Sequence, residues 1–264
     1  MPPKWDGAVY AKSRPSYPPH LYDTILQFRG EVAGGIAIDC GCASGQVTSD
    51  LAKRGFSKVI GIDTSESQLQ SAFENASENT EYRVGTAEST GLPENYADVV
   101  TAAAALHWFQ VPEFFKEASR ILKPDGVVAV WSYNSSPIFP ADSKAADAAY
   151  TRIRDILWKY FDPKLAKALQ FGYSMYLETA QNEFRTVELK NLHMRWNVSV
   201  DRIAGFVQSW SPFTAFVESE GEAAAQRHIE NLKNELKSAV GVAKNSDLIV
   251  VTLPLELLLA KDPL

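Results

Sequence analysis

The chain is poor in cysteine, and that narrows its class first. Its 264 residues include two cysteines, Cys40 and Cys42, with one residue between them. A bridge between them would close a very tight loop and wreck the turn that holds them. None of the four histidines lies near them in sequence, so no zinc ligand set is spaced along the chain and no metal is expected. Both read as reduced, packed thiols, which suits a cytoplasmic setting. Blocks of lysine and arginine are also missing: 26 basic residues against 32 acidic ones leave a net charge of -6. That balance disfavours DNA or RNA as a partner. No apolar run is long enough to span a membrane. Leu248 to Ala260 comes nearest, but it is interrupted by Pro254 and Glu256 and reads as sheet. The first residues, MPPKWDGAVYAKSRPSYPP, contain no apolar signal core. Internal repeats and low-complexity tracts are lacking. The expectation is a globular chain away from membranes, monomeric or dimeric, of one large domain or one domain with an insertion.

What the chain does have is strand alternating with helix, the mark of a parallel α/β sheet. The organising stretch is Ile36-Ala37-Ile38-Asp39-Cys40-Gly41-Cys42-Ala43-Ser44-Gly45-Gln46. A short apolar run ends in an acid, a turn of small residues follows, and a helix opens near Ser44. Such a corner carries a strand across a nucleotide-like ligand, with glycines where a Cβ would collide. The spacing is D-x-G-x-A-x-G rather than the dinucleotide pattern G-x-G-x-x-G, with Ala43 in place of a third glycine. Val59 to Asp63 reads as the second strand, and Asp63 falls 24 residues after Asp39. An acid there accepts from ribose hydroxyls or starts the turn into the next helix. Ser65-x-x-Gln68 already forms a capping box for that helix, which favours the ribose. Strands three and four follow at Tyr82–Val84 and Ala97–Ala104, and the latter runs into Leu106-His107-Trp108-Phe109. His107 and Trp108 thus stand at the carboxyl end of a central strand, where open α/β sheets place their ligands. Pro112 opens a helix. Lys123-Pro124-Asp125-Gly126 reads as a turn with Gly126 at positive φ, and strand five runs from Val127 to Trp131.

Residues 134–183 break the alternation. Two helical patterns, 141–160 and 164–180, suggest an inserted helical cap. Beyond them, Phe184–Leu189 and Met194–Val198 read as strand pieces. Ser199 caps a helix whose stripe runs through Ile203, Phe206, Val207 and Trp210, and a long helix covers 221–240. Leu248–Leu253 and Leu255–Ala260 read as closing strands. The organisation is then 1–30 as an N-terminal segment and helix, 31–133 as the α/β core, 134–183 as the cap, and 184–264 as the rest of the sheet with its helices; the resemblance described next makes 1–30 a lid, 31–133 the cofactor-binding core and the helices of 184–264 substrate-side.

The Asp39–Gly45 motif, Asp63, the His107-Trp108-Phe109 triplet and Arg120-Ile121-Leu122-Lys123-Pro124-Asp125-Gly126 together resemble the class I S-adenosylmethionine-dependent methyltransferases. They are most similar to the small-molecule, trans-aconitate methyltransferase-like group. Tyr10-Ala11-Lys12-Ser13-Arg14-Pro15-Ser16-Tyr17-Pro18 resembles the segment that folds over the active site in that group. The resemblance implies a Rossmann-like, doubly wound, mostly parallel seven-stranded sheet with an antiparallel terminal strand. It implies S-adenosyl-L-methionine as cofactor and S-adenosyl-L-homocysteine as product. Asp39, Gly41, Cys42, Ala43 and Gly45 would border the amino acid end, and Asp63 and Thr64 the ribose. Ala87 and Glu88 would flank the adenine, with Ala104 nearby. Tyr10, Arg14, His107, Trp108, Trp131 and Trp210 would face the acceptor.

In this chemistry a methyl group passes from sulfur to acceptor by in-line displacement, and the protein chiefly aligns the reactants and excludes water. A carboxylate acceptor is already a nucleophile and needs an arginine clamp, for which Arg14 is the candidate. A hydroxyl acceptor needs a base, and His107, with an ordinary pKa of about 6.5, is the candidate. The expected function is methyl transfer to an oxygen of a small organic acceptor. Other readings stay open: a C-methyltransferase or S-adenosylmethionine-binding pericyclase of natural-product metabolism, or a non-catalytic S-adenosylmethionine-binding protein. A NAD-dependent oxidoreductase is opposed by the glycine pattern.

Overall fold

The computed structural model describes residues 14–30, 34–134, 136–140 and 143–264. Apolar runs and their turn residues set the first half. Strand β1 (Ile36–Cys40) is followed by α2 (Gln46–Ala52), after α1 (Pro19–Arg29). Then come β2 (Lys58–Asp63), α3 (Glu66–Phe73), β3 (Thr80–Val84) and β4 (Ala97–Ala103). A one-turn 3-10 helix, Leu106–Trp108, leads into α4 (Val111–Ile121) and β5 (Leu122–Tyr133). The strands of the described residues order as β3-β2-β1-β4-β5-β7-β6, where β6 is Phe184–Ser199 and β7 is Leu248–Pro263. The first five are parallel, and β7 runs antiparallel to β5 through Leu255–Lys261. This is the Rossmann-like, mostly parallel seven-stranded sheet expected.

The chain divides into two compact units. The sheet unit comprises Tyr17–Tyr133, Gln170–Leu192 and Leu255–Leu264. Side chains alternate along its strands. Ile38, Cys40, Ile60, Ile62, Val100, Ala102, Val128 and Val130 share one face and form a core with Phe114, Phe115, Ala118 and Ile121 of α4. The other set takes in Asp39, Thr101 and Trp131, with Asp39 level with Thr101. At the strand origins, Asp98 collects a buried ion network. It accepts from Arg29, Lys123 and the Ile36 amide, each at 2.8 Å. Burial opposes the Asp98 charge, but Lys123, the Ile36 amide and Arg29 outweigh it and hold the carboxyl below its ordinary value.

The helical unit comprises the described residues of Met1–Ser16, Asn134–Leu169 and His193–Pro254. It holds α5 (Lys144–Trp158), α8 (Val200–Gln208), α9 (Ser211–Glu220) and α10 (Glu222–Val240). Ser199 caps α8 by accepting from the Arg202 amide, as expected. The Ser143 hydroxyl caps α5 and donates to the Ala239 carbonyl at 3.1 Å. The chain passes between the units after Ser16, Tyr133, Leu169, Leu192 and Pro254. The last part of the expected cap, from Gln170 on, belongs with the sheet.

Several local expectations are corrected. The 164–180 helix is broken into α6 (Pro163–Phe171), a 3-10 turn at Tyr173–Tyr176 and α7 (Leu177–Gln181). The break is at Gly172, whose φ is 68°; a Cβ there would run into the carboxylate of Glu256, a residue distant in sequence. Lys123–Gly126 is not a turn with Gly126 at positive φ but part of β5, where the strand bulges. From Ala97 to Val99 β4 advances two residues while β5 advances five, Leu122 to Val127. The two pairs of strand pieces at 184–198 and 248–260 are each one continuous strand. Pro254 falls one residue outside the stretch paired with β5, so its missing N–H breaks no bond there.

Candidate functional site

The loop after β1 is built from backbone that turns left. Gly41, Ala43 and Gly45 have φ of 68°, 47° and 81°. The third is the N-cap of α2, so the helix starts two residues later than Ser44 and carries no side-chain cap. Ala43 explains why a glycine is the easier choice at its position: it holds a conformation that costs an L-residue about 1–2 kcal/mol. Protein atoms already crowd the two glycines. A Cβ on Gly41 would meet Ala105 at 2.7 Å, and one on Gly45 would meet the Tyr82 ring.

Asp63 ties this loop down. One carboxylate oxygen accepts from the Ala43 amide at 2.8 Å and the other from the Ser65 amide at 2.9 Å. So the capping box is only half made. The Ser65 hydroxyl accepts from the Gln68 amide at 3.4 Å, but the Ser65 amide is taken by Asp63. The Gln68 side-chain oxygen is buried without a donor among the described residues. A carboxylate offers about four acceptor positions. Half-exposed Asp63 therefore keeps about two for a ligand, beside Thr64, which is exposed.

Asp39 is on the neighbouring strand but turned inward. It is 1% exposed. The Thr48 and Thr101 hydroxyls donate to its two oxygens at 2.7 and 2.9 Å. Burial pushes its pKa up to about 6, against the pull of those hydroxyls. The two threonines were missed by sequence reasoning, although a threonine inside the alanine-rich strand Ala97–Ala104 is a polar signal in a buried run. Gly61 was missed too: a Cβ there would strike Tyr82, Cys42 and Thr48, all within 2.9 Å. Cys40 and Cys42 are buried free thiols whose pKa values burial raises.

Beyond β3, Ala87 is buried and Glu88 accepts from the Gln110 amide at 2.8 Å. Ala104 at the end of β4 is left-handed, φ 50°, and donates its amide to the Trp131 carbonyl at 2.7 Å. The 3-10 turn then carries buried His107 against Trp108, ring centroids 5.1 Å apart. Trp108 is 40% exposed, an uncommon state for so large an apolar ring.

The remaining acceptor-side candidates are placed otherwise. Trp131 has no exposed surface and packs nearly at right angles to Tyr17 and Tyr22, with ring centroids 5.4 and 6.2 Å away. Trp210 is buried in the helical unit among Tyr150, Phe161 and Phe206, as a core residue. In the same unit Arg14 donates to the Ser209 carbonyl at 3.4 Å and lies over the Phe206 ring. Tyr10 lies outside the described residues. No group of three or more potential metal ligands occurs among the described residues, and no described helix is long and apolar enough to cross a membrane.

Comparisons with known proteins converge. A family model described as a methyltransferase domain matches residues 38–130. A Dictyostelium discoideum protein named as a methyltransferase is 31% identical over 261 residues, which covers 96% of this chain and 91% of that one. CRG1 of Saccharomyces cerevisiae, named as an S-adenosylmethionine-dependent methyltransferase, is 29% identical over 80% of this chain and 81% of its own. Among solved structures, a type II methyltransferase from Anaeromyxobacter dehalogenans superposes with a TM-score of 0.74 at 26% identity, covering 94% and 97% of the two chains.

Proposed function

The chain belongs to the class I S-adenosylmethionine-dependent methyltransferases, and from that premise we propose that it methylates an oxygen, carboxylate or hydroxyl, of a small organic acceptor. The observation that carries the cofactor assignment is Asp63. Its carboxylate stands at the tip of β2, fixed by two amides yet with acceptor positions to spare, beside a loop of left-handed backbone. Asp63 would hold the ribose hydroxyls, with Thr64 beside it. The backbone of Gly41, Cys42, Ala43 and Gly45 would border the amino acid portion, with the Asp39 charge behind it. The Ala87 amide and Glu88 carboxylate would read the adenine edge, and Ala104 would leave room at the end of β4. When bound, S-adenosylmethionine supplies a methyl group activated by a positively charged sulfur.

On the acceptor side, His107 and Trp108 follow directly from the central strand β4. Trp108 offers an aromatic face to an acceptor and to positive charge. His107 would orient the acceptor oxygen, and would take its proton where the acceptor is a hydroxyl. A small acceptor also agrees with a net charge of -6, which gives no attraction for a polyanion.

Calorimetric titration with S-adenosylmethionine and S-adenosylhomocysteine tests the cofactor half; no heat from either at millimolar ligand rejects it. Labelled methyl transfer into a metabolite extract tests the acceptor half. Label recovered in base-labile methyl esters or in base-stable methyl ethers supports oxygen as acceptor, and label recovered only on carbon or nitrogen rejects it. With the acceptor in hand, the pH profile of kcat/KM separates the two oxygens. A hydroxyl acceptor, which needs a base, loses rate toward acid pH, and a carboxylate, already a nucleophile, keeps it over the same range.

A further inference from the structure

The loop from Gly85 to Tyr96 has little regular structure of its own, yet helix α4 holds it at both ends. At the near end Glu88 accepts from the amide of Gln110, the N-cap of α4, at 2.8 Å through one oxygen. At the far end Glu117, 9% exposed on the last turns of α4, accepts from the Thr90 amide at 2.9 Å and its hydroxyl at 2.6 Å. Arg120 donates to both Glu117 oxygens at 2.8 Å and to the Leu92 carbonyl at 2.8 Å. A bridge joins Thr86 to Ser89 across the intervening turn. Glu88 is thus tied directly to the start of α4, and Ala87 and Glu88 lie just before Thr90, which is tied to its last turns.

Burial opposes the charge on Glu117, but Arg120 and Thr90 outweigh it and hold the carboxyl below its ordinary value. Removing Arg120 would leave the Glu117 carboxylate buried and short of a partner, whereas the Arg120 side chain is 35% exposed and could turn to water without Glu117. For stability alone an apolar contact would serve as well. What the pair adds is direction: it fixes the register of a loop whose two candidate ligand groups sit two and three residues before Thr90.

We infer that Glu117, with Arg120 and Thr90, is a positioning cluster that sets the selectivity of this enzyme for adenine, by holding the Ala87 amide and the free Glu88 oxygen against the purine edge. This rests on the proposed reading of Ala87 and Glu88. Hydrogen-bond recognition of a base edge tolerates about 0.5 Å of misplacement. The cluster therefore governs discrimination between purines more than affinity for the rest of the cofactor.

The test compares two ligands, S-adenosylhomocysteine and its analogue with hydrogen in place of the purine 6-amino group. Their Kd ratio is measured by calorimetry for the wild type, Glu88→Gln, Glu117→Gln and Thr90→Val, with the melting temperature of each ligand-free protein. The wild type should prefer the amino form by about tenfold, the worth of one well-made hydrogen bond to a charged group. Glu88→Gln should erase most of that preference. Glu117→Gln and Thr90→Val should shrink it to about twofold while binding the deaminated analogue nearly as the wild type does. Thr90→Val removes only a hydroxyl and guards against a Glu117 variant that does not fold. A wild-type ratio near one overturns the adenine reading and the inference with it. A wild-type preference that Glu88→Gln abolishes but both cluster variants keep overturns the inference alone. Equal weakening of both ligands, or a lower melting temperature with the ratio intact, makes the cluster merely structural and also overturns it.

Discussion

Replacing Asp39 by asparagine should make the ligand-free protein more stable at neutral pH. The carboxylate is wholly buried and its pKa stands at about 6 against an ordinary 3.8. At 1.36 kcal/mol for each tenfold in proton affinity, keeping it ionised costs the fold about 3 kcal/mol. The Thr48 and Thr101 hydroxyls lower that cost but do not cancel it. Between about pH 4 and 6 the folded protein keeps a proton that the unfolded chain has released. Stability from this group therefore falls as pH rises through that window and is level above it. The asparagine side chain would remain neutral throughout. Thermal melts of both proteins from pH 4 to pH 8 should show no difference at the acid end and a growing advantage for the variant to about pH 6.5. For a chain of this size each kcal/mol moves the midpoint by about 2–4 °C. The hydroxyls must also reorient to meet an amide, so a gain of about 1–3 kcal/mol is expected. A difference that does not change with pH would refute the reasoning, as would a variant less stable than wild type at pH 7. The same substitution should weaken S-adenosylmethionine more than S-adenosylhomocysteine, on the order of tenfold, because only the former carries the sulfonium charge.

Ala43→Gly should leave stability within about 1 kcal/mol, since relief of the left-handed strain offsets the added freedom of the unfolded chain; Ala43→Val should lose about 2 kcal/mol or more, read from denaturant midpoints. Gly45→Ala should destabilise the fold and weaken S-adenosylhomocysteine, and adding Tyr82→Phe should restore part of both, because the new Cβ strikes the Tyr82 hydroxyl first. Asp98→Ala should cost about 3–5 kcal/mol, because Arg29, with 3% of its side chain exposed, would be left buried and unpaired. The Asp98 carboxyl sits below its ordinary pKa, so its contribution is present above about pH 4 and is lost as pH falls through the lowered value; acid denaturation curves of wild type and variant should converge there.

The readable parts of this fold were those whose cause is local. Strands β1 to β5 announce themselves as apolar runs ending in turn residues, and Asp39, Asp63 and His107 lie at or just beyond strand ends for that reason. The misread parts have their cause far away in sequence. A helix pattern over 164–180 is broken because Glu256 occupies the space beside Gly172. Lys123–Gly126 has every residue of a turn, yet β4 and α4 draw it into a bulged strand; a Cβ on Gly126 would meet Leu122 at 2.7 Å and the Ala97 carbonyl at 3.1 Å. Trp131 and Trp210 carry the same kind of sequence signal as Trp108. Only packing distinguishes the buried pair from the exposed one.

The same distinction bears on why a carboxylate is buried beneath the motif loop at all. A neutral residue at position 39 would stabilise the free protein, so the charge is retained against stability. Of the acids proposed around the nucleoside, Asp63 and Glu88 are partly exposed and keep acceptor positions within reach of a ligand, whereas Asp39 is buried with a threonine hydroxyl on each oxygen. Asp39 is left with its field. In a site shielded from water that field favours a cationic ligand over its neutral product, which is the difference between the two forms of this cofactor before and after transfer. A charge-burying first strand thus makes sense as stability given up for preference between substrate and product. If the Asp39→Asn protein proved more stable yet kept the wild-type ratio of affinities for S-adenosylmethionine and S-adenosylhomocysteine, that trade would not exist.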